Sequence, residues 1–288
     1  MERLAVVGPG TLGLSLAALG AERGLEVRLA GRDLVHAETG VAKILARWQR
    51  HLERGRITAE ALSAAKARLF ASASMEEALH GACAVLESLP EDLGTKRAAW
   101  VRIASAAASS TLLLTGSSSM SLAQIRRGIA LKRGLLGFHL FLPLERMDAL
   151  ELVAEEGADP SDLARARSLG ARLGRSIFQV RDGSGYAASR MALAQGLEAM
   201  RLLERGVASA QELDGLMVHG YGHPVGPLEL SDRIGLDLRL DIARGVHLAT
   251  GHPAFAPPAI LEDLVRRGTC GRKSGKGFYA WDGEGRRQ

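Results

Sequence analysis

Arg3-Leu4-Ala5-Val6-Val7-Gly8-Pro9-Gly10-Thr11-Leu12-Gly13 is the stretch on which the reading of the fold turns. An apolar run of strand length stops at a glycine, and Leu12, Leu16 and Leu19 then repeat at helical spacing over residues 11–23. Gly24 stands where a helix C-cap is expected, and a second apolar stretch runs from Leu25 to Ala30. Strand, tight turn, helix and strand make a βαβ unit, the opening of a parallel, doubly wound sheet. Within the turn, Gly8, Gly10, Thr11, Leu12 and Gly13 read G-x-G-x-x-G, a weak pattern alone. Between a strand and a helix it becomes a dinucleotide loop, because the helix N-terminus offers N–H groups and a positive dipole end to a pyrophosphate.

The tip of the second strand reads Leu29-Ala30-Gly31-Arg32-Asp33. Gly31 occupies the place of the acid that usually holds the ribose 2′-hydroxyl. Arg32 suits a 2′-phosphate and Asp33 suits a ribose, which leaves NAD and NADP both open.

Downstream, short apolar runs at residues 83–86, 111–115, 135–141 and 149–153 continue the sheet to about residue 180. Residues 41–70 read as two helices joined by Arg54-Gly55-Arg56-Ile57, an excursion from the sheet with Thr58 as N-cap. After Arg181-Asp182-Gly183-Ser184-Gly185, residues 186–205, 209–219, 227–249 and 257–267 carry helical periodicity without an intervening strand. The fold expected is α/β: a Rossmann-like dinucleotide-binding domain over residues 1–182 with a helical hairpin excursion, then an all-helical substrate and dimerisation domain over residues 183–288. Its apolar faces exceed what so few helices bury, which predicts a homodimer through the helical domain.

Composition narrows the function. Lys and Arg number 37 against 32 Asp and Glu in 288 residues, an excess spread along the chain that fits an anionic ligand. Three Trp, three Tyr and six Phe are too few for a base-stacking face, so nucleic-acid binding is set aside. Cys83 and Cys270 lack any paired spacing for a disulfide framework or zinc cluster. The absence of a leader and of an apolar run near 18 residues predicts a cytoplasmic protein with no membrane span.

His139 stands apart from the other histidines because it lies inside an apolar strand, with Glu151 in the next one. If the two strands form a hairpin centred on Glu145, these residues face each other, their Cβ atoms roughly 4.5–5.5 Å apart. A carboxylate that orients an imidazole base and a buried ion pair without chemistry both fit this spacing. Ser117-Ser118-Ser119 follow a strand at its carboxyl end, and either donate to a substrate oxygen or cap the helix near Ser121. His219 and His223 are four apart, but Gly220, Gly222 and Pro224 break the helix and no third metal ligand is near, so no metal is expected. Lys43, Arg47, Arg50, Arg54 and Arg56, with Trp48 as a stacking face, form either a grip for phosphates or a solvated helix face.

Further motifs carry a resemblance over nearly the whole chain: Leu89-Pro90-Glu91-Asp92-Leu93 followed by Lys96, Gly137-Phe138-His139-Leu140-Phe141, Leu150-Glu151-Leu152-Val153, His223-Pro224-Val225-Gly226-Pro227-Leu228 and Gly271-Arg272-Lys273-Ser274-Gly275-Lys276-Gly277-Phe278-Tyr279. In these the chain resembles the 3-hydroxyacyl-CoA dehydrogenase family. The resemblance implies His139 as base, Glu151 as its partner, Ser118 as the hydroxyl near the substrate, and Glu91 and Lys96 at the nicotinamide end of the cofactor. It brings the helix pair with Arg54 and Arg56 to coenzyme A, and makes NAD the family's cofactor. Two positions depart from the family: Leu142 and Ser189 stand where it has asparagines near the substrate oxygens. They leave three alternatives beside a coenzyme A thioester: an acyl-carrier-bound substrate, a free hydroxy acid as in the lambda-crystallin-like branch, and a low-turnover dinucleotide-binding relative.

Overall fold

The computed structural model describes residues 2–288 and divides them into two compact units, residues 2–186 and 187–288. In the first, β1 (Arg3–Val7), α1 (Thr11–Glu22) and β2 (Glu26–Ala30) form the βαβ opening. Two helices follow, α2 (Leu34–Glu53) and α3 (Ala59–Lys66), and Thr58 caps the second by accepting the Ala61 N–H at 3.2 Å. The pair is the helical hairpin expected after β2, and it returns to the sheet as β3 (Leu69–Ser72), a strand whose four residues are too few to show periodicity. Its long helix starts at Leu34, capped by Asp33, and buries Ala37, Gly40, Ile44 and Trp48.

After α4 (Met75–Leu79) come β4 (Ala84–Glu87), α5 (Leu93–Ala106), β5 (Leu112–Thr115), α6 (Leu122–Arg126), β6 (Leu135–Leu140), β7 (Ala149–Ala154), α7 (Pro160–Arg172) and β8 (Ser176–Arg181). Among the described residues eight strands make one sheet in the order β3-β2-β1-β4-β5-β6-β7-β8, parallel throughout except between β6 and β7. Strands buried on both faces alternate between two cores. Leu4, Val6, Leu86, Leu114 and Phe138 pack with Leu16 of α1 and Ile44 and Trp48 of α2. Ala5, Val7, Val85, Leu113 and Leu135 pack with Trp100 and Ile103 of α5 and Ile125 of α6.

Chain order reverses between β1 and β4, which opens a crevice at their carboxyl ends. The backbones there are in contact. A Cβ on Gly8, at φ +107°, would lie 2.8 Å from the Ser88 carbonyl oxygen, and one on Gly13 would lie 1.9 Å from the Gly8 carbonyl oxygen. Ser88 closes the contact by donating its hydroxyl to Gly8 O at 2.7 Å. These glycines let α1 start flush against the sheet.

The second unit holds α8 (Ala188–Glu204), α9 (Ala210–Gly215), α10 (Pro227–Ile234), α11 (Leu236–Thr250) and α12 (Ala259–Arg266) around Leu193, Leu197, Met200, Leu228, Leu240 and Leu261. The single helix expected over 227–249 is two helices, broken at Gly235 with φ +106°. The segment Gly271–Tyr279 ties the end of the chain to α10. Asp232 accepts N–H bonds from Phe278 at 3.0 Å and Tyr279 at 2.9 Å, and the indole N–H of Trp281 at 3.0 Å. Burial nevertheless pushes the Asp232 carboxyl above its ordinary range.

Gly13→Ala should cost at least about 1–3 kcal/mol, the scale of overpacking against a structure that cannot yield. Urea unfolding of the variant should show the lower midpoint, and wild-type stability would mean that α1 can shift away from Gly8.

Candidate active site

Two strands position the first candidate pair. Along β6, Leu136, Phe138 and Leu140 go to one core while Leu135, Gly137 and His139 face the other side. The antiparallel register sets Gly137 opposite Val153 and His139 opposite Glu151. Both side chains are buried, and His139 Nδ1 lies 2.7 Å from Glu151 Oε2. A carboxylate accepts, so Nδ1 is the donor in this contact and Nε2 is the ring nitrogen outside it. Phe141 packs on the imidazole with ring centroids 4.6 Å apart.

At the carboxyl ends of β4 and β5 lies a second polar centre. Glu87, wholly buried at the end of an apolar strand, accepts Lys96 Nζ at 2.8 Å, the Leu89 N–H at 2.7 Å and the Thr115 hydroxyl at 2.7 Å. Its remaining contact is the Trp100 indole N–H at 3.3 Å. A buried carboxylate with each lone pair engaged and an ammonium beside it escapes most of its desolvation cost. Lys96, itself 1% exposed, also reaches Glu91 Oε2 at 3.3 Å.

Glu91 in turn organises the serines. Its Oε1 accepts the Ser117 hydroxyl at 2.6 Å, the Ser118 and Ser119 N–H groups at 3.0 and 2.9 Å, and the Ser119 hydroxyl at 2.8 Å. Burial raises the Glu91 pKa, but the Lys96 charge and the serine hydrogen bonds outweigh it and hold the carboxyl below its ordinary range. The helix-capping alternative for these serines does not hold. Ser121 caps α6 itself, in a capping box with Gln124, and Asp182 accepts the next N–H groups from Leu122 at 2.8 Å and Ala123 at 3.2 Å.

The glycine loop fits a dinucleotide. Gly10 is the N-cap of α1 with no side-chain capping bond, so the first N–H groups of the helix face the crevice. A cavity of about 420 Å³ opens beside Gly10, Thr11 and Ser15, with Lys43, Arg47 and Arg50 of α2 on its other wall. Arg47 also pairs with Glu145, in the turn between β6 and β7, at 3.3 Å. At the tip of β2, Asp33 Oδ1 accepts the His36 N–H at 2.7 Å, and Arg32 Nε lies 3.4 Å from Asp33 Oδ2.

Other expected residues fall elsewhere. Arg54 and Arg56 are exposed at the joint of the helix pair, outside the lining of that cavity. Trp48 is no stacking face, because it is buried and donates its indole N–H to Glu22. Leu142 is 42% exposed just after β6, and Ser189 lies in the first turn of α8, in the second unit. Glu87 was not singled out from the sequence, though a lone acid ending the run Ala84-Val85-Leu86 with a lysine nine residues on is a usable signal. Asp182 and Tyr186 gave no such signal, since their partners come from distant segments.

The parallel sheet with its switch-point crevice, free helix N-terminus and buried acid–base groups defines a Rossmann-type dinucleotide-dependent oxidoreductase. The sequence pattern of the 3-hydroxyacyl-CoA dehydrogenase NAD binding domain matches residues 3–183, and that of the C-terminal domain matches residues 185–281. The chain belongs to the 3-hydroxyacyl-CoA dehydrogenase family. It is 31% identical to a probable 3-hydroxyacyl-CoA dehydrogenase of Caenorhabditis elegans, over 98% of this chain and 93% of that one. A probable 3-hydroxybutyryl-CoA dehydrogenase of Bacillus subtilis is 28% identical, with 98% of both chains covered. The crystal structure of (S)-3-hydroxybutyryl-CoA dehydrogenase from Ralstonia eutropha superposes with a TM-score of 0.92 at 26% identity, covering 98% of this chain and 99% of that one. Among the described residues no helix is long and apolar enough to cross a membrane.

Because the folded state favours ionised Glu91, its contribution is complete above the ordinary value of 4.5 and is lost as the pH falls below it. Melting temperatures of wild type and Glu91→Gln should therefore differ most above the ordinary value of 4.5 and converge as the pH falls through the lowered folded-state value. A gap independent of pH would show that charge on Glu91 does not contribute.

Proposed function

We propose that the protein oxidises the 3-hydroxyl of a 3-hydroxyacyl thioester carried on coenzyme A, and reduces the 3-oxo group in reverse, with His139 as general base and Glu151 as its orienting partner. The observation that carries this is the 2.7 Å contact between His139 Nδ1 and Glu151 Oε2 inside a buried strand pair. With Nδ1–H held by the carboxylate, Nε2 accepts the hydroxyl proton, and Glu151 stabilises the imidazolium that results. In the reverse direction the imidazolium returns the proton to the oxygen. Ser118 supplies a hydroxyl to the substrate oxygen and keeps it in reach of His139.

Gly8, Gly10, Thr11, Leu12 and Gly13 hold the pyrophosphate of the nicotinamide cofactor, and Arg32 and Asp33 meet its adenosine ribose. Glu91 and Lys96 flank its nicotinamide end. When bound, this group supplies the hydride acceptor or donor. The basic side of α2, from Lys43 through Arg47 and Arg50 to Arg54 and Arg56, meets the phosphates of coenzyme A. The relatives named for 3-hydroxybutyryl-CoA favour a short acyl chain. Leu142 shapes the substrate end in place of an amide. The exposed apolar side chains Leu216, Tyr221, Leu238 and Leu248 of the second unit support a homodimer formed through it.

His139→Ala should lower kcat for acetoacetyl-CoA reduction by about 10²- to 10⁴-fold, the span of general acid–base catalysis, while NADH binding followed by fluorescence stays near wild type. Turnover surviving at the wild-type rate removes His139 from the mechanism. For cofactor choice, Arg32→Ala should weaken NADPH binding about tenfold or more and leave NADH unchanged, because only the 2′-phosphate offers the guanidinium a charge-assisted bond. Equal losses for both cofactors would assign Arg32 no part in the discrimination.

A further inference from the structure

Among the described residues Tyr186 is the one non-glycine with a positive φ, +46°. That region is costly for a bulky side chain and persists only where the surroundings impose it. Here the loop is stapled on both sides. The Gly185 N–H donates to Ser119 O at 2.7 Å, the Tyr186 N–H donates to Gly183 O at 2.9 Å, and Asp182 holds the start of α6.

The strained turn delivers the phenol into the core behind the active site. Tyr186 is 3% exposed, packs with the cluster that holds Leu113, Leu135 and Val153, and sets its ring centroid 6.0 Å from that of His139. Gly137, two residues before His139 on the same strand face, lies under the phenol: a Cβ there would touch the Tyr186 hydroxyl oxygen at 3.4 Å, an ordinary van der Waals contact.

That hydroxyl is buried without a hydrogen-bond partner. Phenylalanine would fill the same space without an unpaired donor, so a tyrosine here calls for a partner for its oxygen. The polar side chain beside it is Ser117. Ser117 gives its own proton to Glu91 at 2.6 Å and accepts the Met120 N–H at 3.1 Å. A hydroxyl accepts twice, so one lone pair on Ser117 remains. Burial, with the charges of Asp182, Glu91 and Glu151 around it, keeps the phenol protonated and therefore a donor.

We propose that Tyr186 is a positioning residue whose hydroxyl donates to Ser117 Oγ when the nicotinamide cofactor is bound, closing a chain from Tyr186 through Ser117 to Glu91 that fixes the loop Ser117–Ser119. The inference rests on the reading that Glu91 lies at the nicotinamide end of the cofactor. Ser117 accepts from Tyr186 and donates to Glu91, so engagement at Tyr186 strengthens the hold of Ser117 on Glu91. Ser118 and Ser119 hang from the same Glu91 oxygen, and the adjustment is shared by the residue that meets the substrate.

The test is a double-mutant cycle on the full chain with Tyr186→Phe, Ser117→Ala and the pair, read by thermal melting and by fluorescence titration with NADH and NADPH. Tyr186→Phe should melt at or above the wild-type temperature without cofactor, because an unpaired hydroxyl is gone. It should bind the preferred cofactor about three- to tenfold more weakly, the size of one neutral hydrogen bond. In the Ser117→Ala background the same substitution should have no further effect on binding. Unchanged cofactor affinity in Tyr186→Phe, a melting temperature below wild type, or losses that multiply in the double variant would each overturn the proposal. None of these readings uses turnover. Failure of His139 as base, or of acetoacetyl-CoA as substrate, is therefore seen separately in the kinetics.

Discussion

The pairing of β6 with β7 is the constraint on which the candidate site depends. Both strands have their apolar alternates sealed into the core beneath α1 and α7, so a slip of one residue would drive Phe138 and Leu152 out of that core and turn His139 and Glu151 away from their present face. The apolar side chains thus enforce a register that the polar pair alone could not. Glycine at 137 contributes to the same lock, since a Cβ there would sit 2.7 Å from Val153 Cβ on the facing strand. An antiparallel hairpin inside an otherwise parallel sheet costs little in pairing and brings two side chains twelve residues apart into direct opposition.

Charge is managed differently on the two sides of this site. Around β4 and β5 the acids are satisfied by many donors: the buried Glu87 by Lys96, Thr115, Trp100 and a backbone N–H, and the half-buried Glu91 by Lys96 and the serine loop. Such a network holds its members in one arrangement, because any displacement exposes an uncompensated charge in a low-dielectric interior. The glycine crevice and the basic wall of α2 are open by contrast, with N–H groups, Lys43, Arg47 and Arg50 turned to a cavity. A rigid polar floor beneath an open, positively charged mouth suits an anionic ligand that must be held at one end with its reacting carbon in register.

The second unit follows the same economy of buried acids. Asp214 accepts the N–H groups of Leu228 and Glu229, each at 2.8 Å, and Asp232 gathers the chain end. Glycines at 226, 271 and 277 are required there, since a Cβ at any of them would collide with Asp214 or Asp232. The run Gly271–Tyr279, conspicuous as a motif, is therefore accounted for by packing.

From its sequence alone, the chain determined the βαβ opening, the glycine loop, the change to helices after residue 182 and the opposition of His139 to Glu151. Each of these depends on local periodicity or on spacing within one hairpin, where chain connectivity already limits the geometry. The start of α2 at Leu34, the edge strand Leu69–Ser72 and the break at Gly235 were settled by tertiary packing, since their local patterns are short or ambiguous. So were the burial of Trp48, the convergence of Glu87, Lys96 and Thr115, and the placement of Tyr186 against His139. In those cases the partners lie on segments joined only through the sheet, and which side chains meet follows from strand order and from the shapes that fill the two cores.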